Sequence, residues 1–148
     1  MGIADYPDGY YNVSKIIDGD TFVLTDGTKV RLIGVDAPEM DEYCSDHAKQ
    51  RLESLISGKT VKLKKDVSET DQYERLLRYV YIGETFVNLV LVNDGYAWAV
   101  TYPPDVTYAS ELAEAENSAR DNNRGCLWNY LVWGDSRGYL QVGCFINM

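Results

Sequence analysis

Two Asp-Gly pairs, eight residues apart, punctuate the stretch from Tyr10 to Val35 and commit the start of the chain to a β-meander. Tyr10 to Ile17 alternates apolar and polar residues as a half-buried strand does. Asp18-Gly19 breaks that strand in a tight turn, Thr21 to Thr25 resumes it, and Asp26-Gly27 is a two-residue hairpin signal leading into Lys29 to Val35. The meander leaves acids at its turns. Asp18 and Asp20 fall in the first, Asp36 just past the last strand, so strand pairing can bring Asp20 and Asp36 together.

The pattern changes after Pro38. Within Tyr43 to Ile56, Ala48, Leu52, Leu55 and Ile56 fall on one helical face, and Gly58 ends the helix. Thr60 to Lys65 and Leu76 to Ile82 read as a fourth and a fifth strand, with a polar loop between them. Thr85 to Asn93 reads as a helix capped by Gly95, and Tyr108 to Asn122 as another closed by Gly125. Residues 1–9, rich in Asp and Gly and including Pro7, read as a flexible N-terminal arm, residues 10–128 as one domain, and 129–148 as a C-terminal extension. In that extension apolar ends surround a turn-rich middle between Tyr130 and Val142, the pattern of an extra hairpin. Trp128 and Trp133 read as packing anchors.

The chain has 148 residues, enough to bury a proper core, and no apolar run of bilayer-spanning length. Its start, Met1 to Asp5, has neither the basic opening nor the apolar core of a signal peptide, and localisation stays open. Cys44, Cys126 and Cys144 are an odd set, compatible with one disulfide and a free thiol or with three reduced thiols. A zinc site built on Cys44-x-x-His47 lacks the paired Cys-x-x-Cys knuckle, and His47 reads as a surface residue. The formal net charge of −9 counts against simple affinity for a polyanion.

Against that acidic background, Asp20, Asp36 and Glu39 recur with Arg31 and Arg75 at the boundaries of apolar strands. Acids in loops usually just shape turns and solvate a surface. Packing a small domain does not require this particular set, whereas phosphodiester hydrolysis needs a hard-cation site, a base to hold water, and planar cations for the phosphoryl oxygens. Arg31 is flanked by Val30 and Leu32 on its strand and must find a buried partner or face solvent; Asp36 is a candidate for that partner. Lys59, Lys62, Lys64 and Lys65 form the basic cluster, readable as a solvated strand face or as a phosphate track.

Strand, Asp18-Gly19-Asp20-Thr21, strand, Arg31-Leu32-Ile33-Gly34-Val35-Asp36-Ala37-Pro38-Glu39, helix, then Tyr73-x-Arg75-Leu76-Leu77-Arg78-Tyr79-Val80-Tyr81 resembles the staphylococcal nuclease (thermonuclease) family. The likeness runs from Tyr10 to Trp128, through Phe86-Val87-Asn88, Gly95-Tyr96-Ala97, Tyr102-Pro103-Pro104-Asp105 and Arg124-Gly125-Cys126-Leu127-Trp128. The resemblance implies an α+β fold, a five-stranded OB-type barrel with three helices. It implies a calcium ion held by Asp20, Asp36 and the carbonyl of Ala37, with waters completing the shell. Asp18 would shape the turn or stand behind the ligands of the ion. Glu39 matches the acid that positions or deprotonates water, and Arg31 and Arg75 match the phosphate-binding arginines. The implied activity is a calcium-dependent nuclease on DNA and RNA, single strands preferred, leaving 3′-phosphates, from a monomeric enzyme secreted or at the cell surface. Tyr73 and Tyr102 resemble tyrosines near the nucleotide pocket.

The chain departs from the family at Glu74, where Gly is usual, and at Gln72, where Arg or Lys is common. Both changes subtract positive charge beside Arg75, and a Cβ at position 74 would strain a turn that needs positive φ. Two other classes compete with the enzyme. A non-catalytic OB-type module would bind single strands or a protein without calcium, and has no use for Glu39. A calcium-stabilised structural domain would melt higher with calcium and hydrolyse nothing.

Overall fold

Strand alternation and Asp-Gly turns build a barrel in the computed structural model, which describes residues 6–129. In chain order the elements are β1 (Gly9–Asp18), β2 (Thr21–Leu24), β3 (Lys29–Leu32), β4 (Val35–Asp36), α1 (Ser45–Ile56), β5 (Thr60–Lys64) and β6 (Leu76–Ile82), followed by β7 (Thr85–Phe86), α2 (Val87–Asn93), β8 (Trp98–Ala99), α3 (Ala109–Asp121) and α4 (Gly125–Trp128). Strands run β3-β2-β1-β5-β6 through antiparallel pairs, and a parallel pairing of β3 with β6 closes the ring. Closure leaves no free edge between these five strands, the OB-type solution to the edge problem. Three helices of seven residues or longer pack on this barrel, as the α+β reading expects.

Inward residues of the alternating strands fill the interior: Phe22, Val30, Leu32, Val61, Leu63 and Val80 are all buried. Helix α1 covers one end with Ala48, Leu52 and Ile56, and α2 adds Val87, Leu91 and Val92. Fully burying an aliphatic side chain of this kind contributes about 1.5–3 kcal/mol, so this cluster is the main source of stability.

Several boundaries differ from the sequence reading for local reasons. Lys29 to Val35 is not one strand, because Gly34 takes φ 77 and turns the chain. A Cβ there would lie 2.5 Å from Leu112 Cδ1, so both conformation and space call for glycine. Val35–Asp36 then pairs with Trp98–Ala99 instead of continuing β3. Helix α1 starts at Ser45, since Cys44 before it is left-handed at φ 73. Thr85–Phe86 pairs with β6 as a strand before α2 begins.

The thiols resolve into a Cys44–Cys126 disulfide, which excludes both three reduced thiols and a zinc site. Cys144, Trp133 and the hairpin expected between Tyr130 and Val142 lie outside the described residues. Tyr6 to Asp8, read as part of a loose arm, are tied to the barrel by polar side chains. Tyr6 donates to Asp26 Oδ2 at 2.5 Å, Arg78 donates to the Tyr6 carbonyl at 2.9 Å, and the Lys65 amide donates to Asp8 Oδ1 at 2.8 Å. Trp128 is buried, with the Arg120 guanidinium 5.3 Å from its ring.

Candidate active site

The first turn is shaped by its own acid: Asp18 Oδ1 accepts the Asp20 amide at 3.0 Å, an Asx-type bond. Between them Gly19 lies so close to the next layer that a Cβ would fall 2.7 Å from the Cβ atoms of both Ala37 and Ala48. The turn is therefore pressed against the segment after β4. Asp20 is buried, and its carboxylate joins the two: Oδ2 accepts the Ala37 amide at 2.8 Å and Oδ1 the Thr21 hydroxyl at 2.9 Å. Pairing of β4 with β8 sets Asp36 opposite Trp98 and fixes the approach of that segment.

Arg31 sits opposite Thr21 in the β2–β3 register and reaches both acids. Its Nη2 lies 3.6 Å from Asp20 Oδ2 and 3.5 Å from Asp36 Oδ1, while Nη1 donates to the carbonyls of Leu32 and Val35. The two carboxylate contacts are long, nearer ion pairing than tight hydrogen bonds. One guanidinium thus faces a surplus of acid. Burial, followed by the charge of Asp20, pushes the Asp18 carboxyl up to about 6. Burial also raises Asp36, helped by Asp20, Glu39 and Glu42 and opposed by Arg31.

Among the described residues no three His, Cys, Asp or Glu side chains converge to hold a metal ion unaided. Asp20, Asp36 and the Ala37 carbonyl nevertheless offer only oxygen donors, and the two carboxylates share the single Nη2 of Arg31. That chemistry fits a hard cation that keeps much of its own water. Glu39 is exposed, and its loop closes on itself: the Glu39 amide donates to Glu42 Oε1 at 2.6 Å and the Glu42 amide to the Glu39 carbonyl at 2.9 Å. Asp41 at φ 74 and Cys44 at φ 73 bend the same loop into α1.

Arg75 is held by a residue that the sequence reading did not single out. Asp71 Oδ1 accepts the amides of Tyr73 at 2.9 Å and Arg75 at 3.0 Å, and Oδ2 accepts Arg75 Nε at 2.7 Å. Burial raises the Asp71 carboxyl, yet the backbone bonds from Arg75 and Tyr73 and the Arg75 side chain outweigh it and hold the group below its ordinary value. The Tyr73 ring lies 5.4 Å from the guanidinium. Glu74 has φ 66, so the strained turn expected at that position is present; the carboxylate pairing with Arg75, however, is Asp71 rather than Glu74.

Arg31 and Arg75 line one open cavity of about 430 Å³, with Asp71, Tyr73, Tyr102 and Asp105 on its walls. Tyr73 and Tyr102 are 69% and 65% exposed, the Tyr73 ring with the Arg75 guanidinium over it. Asp105 and Arg78 were also missed. Buried Asp105 accepts the amides of Val67 at 2.9 Å and Ser68 at 2.7 Å, and Arg78, wholly buried, bonds Glu69 Oε2 at 2.5 Å. Together they pin the loop between β5 and β6 that carries Arg75. In the sequence Asp105 was only one polar residue after two prolines, whereas Arg78 interrupts the apolar run of β6 and was a visible signal.

The family model described as staphylococcal nuclease homologue matches residues 29–130. The chain belongs to the staphylococcal nuclease family. The thermonuclease of Staphylococcus hyicus is 32% identical over 141 residues, covering 86% of this chain and 80% of that protein. The thermonuclease of Staphylococcus intermedius is 34% identical, covering 74% of this chain and 71% of that protein. The micrococcal nuclease of Shigella flexneri is 35% identical, covering 87% and 79%. Staphylococcal nuclease family membership agrees with the OB-type barrel.

Proposed function

We propose that this protein is a calcium-dependent nuclease that hydrolyses phosphodiester bonds of DNA and RNA and leaves 3′-phosphate ends. The observation that carries the reading is the position of Arg31, whose guanidinium contacts Asp20 and Asp36 on one side and lines the cavity shared with Arg75. The names of the thermonuclease and micrococcal nuclease relatives support it. Asp20, Asp36 and the Ala37 carbonyl would hold calcium, which supplies positive charge for the phosphoryl oxygens when bound. Arg31 and Arg75 present planar forks to those oxygens and stay protonated as charge builds. Glu39 holds the attacking water and takes its proton, in line with departure of the 5′-oxygen. Exposed Tyr73 and Tyr102 suit stacking on an unpaired base, which favours single strands and little sequence preference.

Removing one such arginine contact costs on the order of 3 kcal/mol, about a hundredfold in rate, by comparison with single oxyanion donors. The test is cleavage of a fluorophore-quenched single-stranded oligonucleotide in low salt, with calcium or with a chelator, beside Glu39→Gln. Signal that needs calcium and disappears in the variant is the expected result. No signal from folded protein with calcium, together with binding that ignores the chelator, would replace the enzyme with a binding module.

A further inference from the structure

The outer face of the sheet carries a basic and aromatic row that the cavity does not use. Strand register sets Tyr10 opposite Lys62, Lys62 opposite Tyr81, and Tyr81 opposite Phe86, one line of side chains across β1, β5, β6 and β7. Their neighbours Val61, Leu63 and Val80 are buried at 0% exposure, so alternation turns the row outward. Tyr10 is 73% exposed, and the rings of Tyr81 and Phe86 are stacked with centroids 4.8 Å apart. One register step on, Lys64 Nζ donates to the Tyr108 hydroxyl at 3.3 Å, and the Tyr108 ring meets Phe86 at 5.2 Å.

In a chain of net charge −9, Lys59, Lys62, Lys64 and Lys65 are gathered on this strand and its flanks. Two nearby acids are already partnered: Asp66 accepts Tyr79 and Thr107, and Glu69 accepts Arg78 and, from the lysine cluster itself, Lys65. Among the described residues no carboxylate pairs with Lys59 or Lys62. Along the chain, Tyr102 and Asp105 on the cavity wall are followed by Thr107, bonded to Asp66, and by Tyr108 of the row. Rings interleaved with cations are what a flexible strand of bases and phosphates requires, and a row across four strands spans about 14 Å at the usual spacing.

We infer that the outer face formed by Tyr10, Lys62, Lys64, Tyr81, Phe86 and Tyr108 is a second binding surface for single-stranded nucleic acid, receiving the strand that leaves the cavity past Tyr102. An acidic peptide would satisfy the lysines but leave the rings unused. The inference rests on the nuclease reading for the identity of the strand, though its test reads binding and not turnover.

The full chain would be titrated with a fluorescent oligothymidylate of about twelve nucleotides, a length OB-type surfaces accommodate, in chelator and across a range of salt. Lys62→Gln with Lys64→Gln should flatten the slope of log affinity against log salt by about 1.4, because each lost phosphate contact on a single strand accounts for about 0.7. Tyr81→Ala should weaken binding about tenfold. It should also reduce, by the same factor, the preference for this strand over an abasic strand of equal length. Arg75→Gln, which alters only the cavity, should leave both effects in place. Tyr10→Ala with Lys62→Gln, at exposed positions, repeats the test where folding is not at risk. Unchanged affinity and slope, absence of binding by the unmodified protein, or equal affinity for polyglutamate would overturn the second surface. Failure of the cleavage assay with these binding results intact would instead remove the nuclease and leave the surface.

Discussion

Glu74 is one of the non-glycine residues that the backbone holds at positive φ. At φ 66 its Cβ stands in the left-handed region, which costs a side chain of L configuration about 1–2 kcal/mol, a penalty glycine escapes. Glycine loses more chain entropy on folding, so Glu74→Gly should raise stability by about 0.5–1 kcal/mol, read from the urea midpoint. The same change removes a negative charge next to Arg75, and turnover at saturating calcium should rise. An unchanged rate would mean that Asp71, 2.7 Å from Arg75 Nε, is the carboxylate that tempers the arginine. Residues of the meander were legible in the sequence because strand register and turn chemistry fix their places: of a buried partner or solvent, the two options open to Arg31 between Val30 and Leu32, the structure shows the pairing with Asp36. Asp71 was not legible as the partner of Arg75, since a loop has no period and Asp71 and Glu74 are equally plausible acids until the turn closes.

At the scale of elements, the loop between β5 and β6 is held by acids rather than by a core. Asp66, Glu69 and Asp71 all sit below their ordinary values of 3.8, 4.5 and 3.8. For Glu69 the leading cause is the Arg78 hydrogen bond; for Asp66 and Asp71 burial works the other way and is outweighed by hydrogen bonds from Tyr79 and Thr107, and from Arg75 and Tyr73. A carboxylate depressed in the folded state binds fewer protons there than in the unfolded chain, so its stabilisation is complete above the unfolded value and lost as pH falls through the folded one. Asp71→Asn should therefore cost about 1–2 kcal/mol at neutral pH, as expected for losing a charge-assisted bond. The deficit should shrink as pH falls below the ordinary value of 3.8 and on through the lower folded value, where unmodified Asp71 gains its proton. Urea unfolding of both proteins across this range measures it, and a deficit independent of pH would contradict the argument. The barrel strands and the three longer helices were readable from alternation and helical spacing. Val35–Asp36, Thr85–Phe86 and Trp98–Ala99 were not, because two-residue strands carry no periodicity and exist only through their partners.

For the whole molecule the decisive crosslink is the disulfide that joins residues 82 positions apart. Cys44 ends the loop that bears Glu39 and directly precedes α1, while Cys126 lies in α4, so the bond ties the entrance of the first helix to the last helix of the described residues. In the chain-entropy account, closing a loop of this length removes about 4 kcal/mol of unfolded-state freedom. That is a large share of the stability of an ordinary domain, and it opposes the self-repulsion of a chain with net charge −9. Disulfides persist where thiols stay oxidised, so the protein should be sensitive to reductants. Cys126→Ser, or incubation with a thiol reductant, should lower the melting temperature by about 10–20 °C, measured by circular dichroism. The barrel core does not depend on the bond, since Phe22, Val30, Leu63 and Val80 close on one another through the sheet, so the reduced protein should still unfold cooperatively. Cleavage should decline more than folding does, because Glu39 lies on the loop whose far end the bond secures. A melting shift under about 3 °C would mean that the unfolded chain already keeps its two ends together, and that the crosslink acts on the site alone.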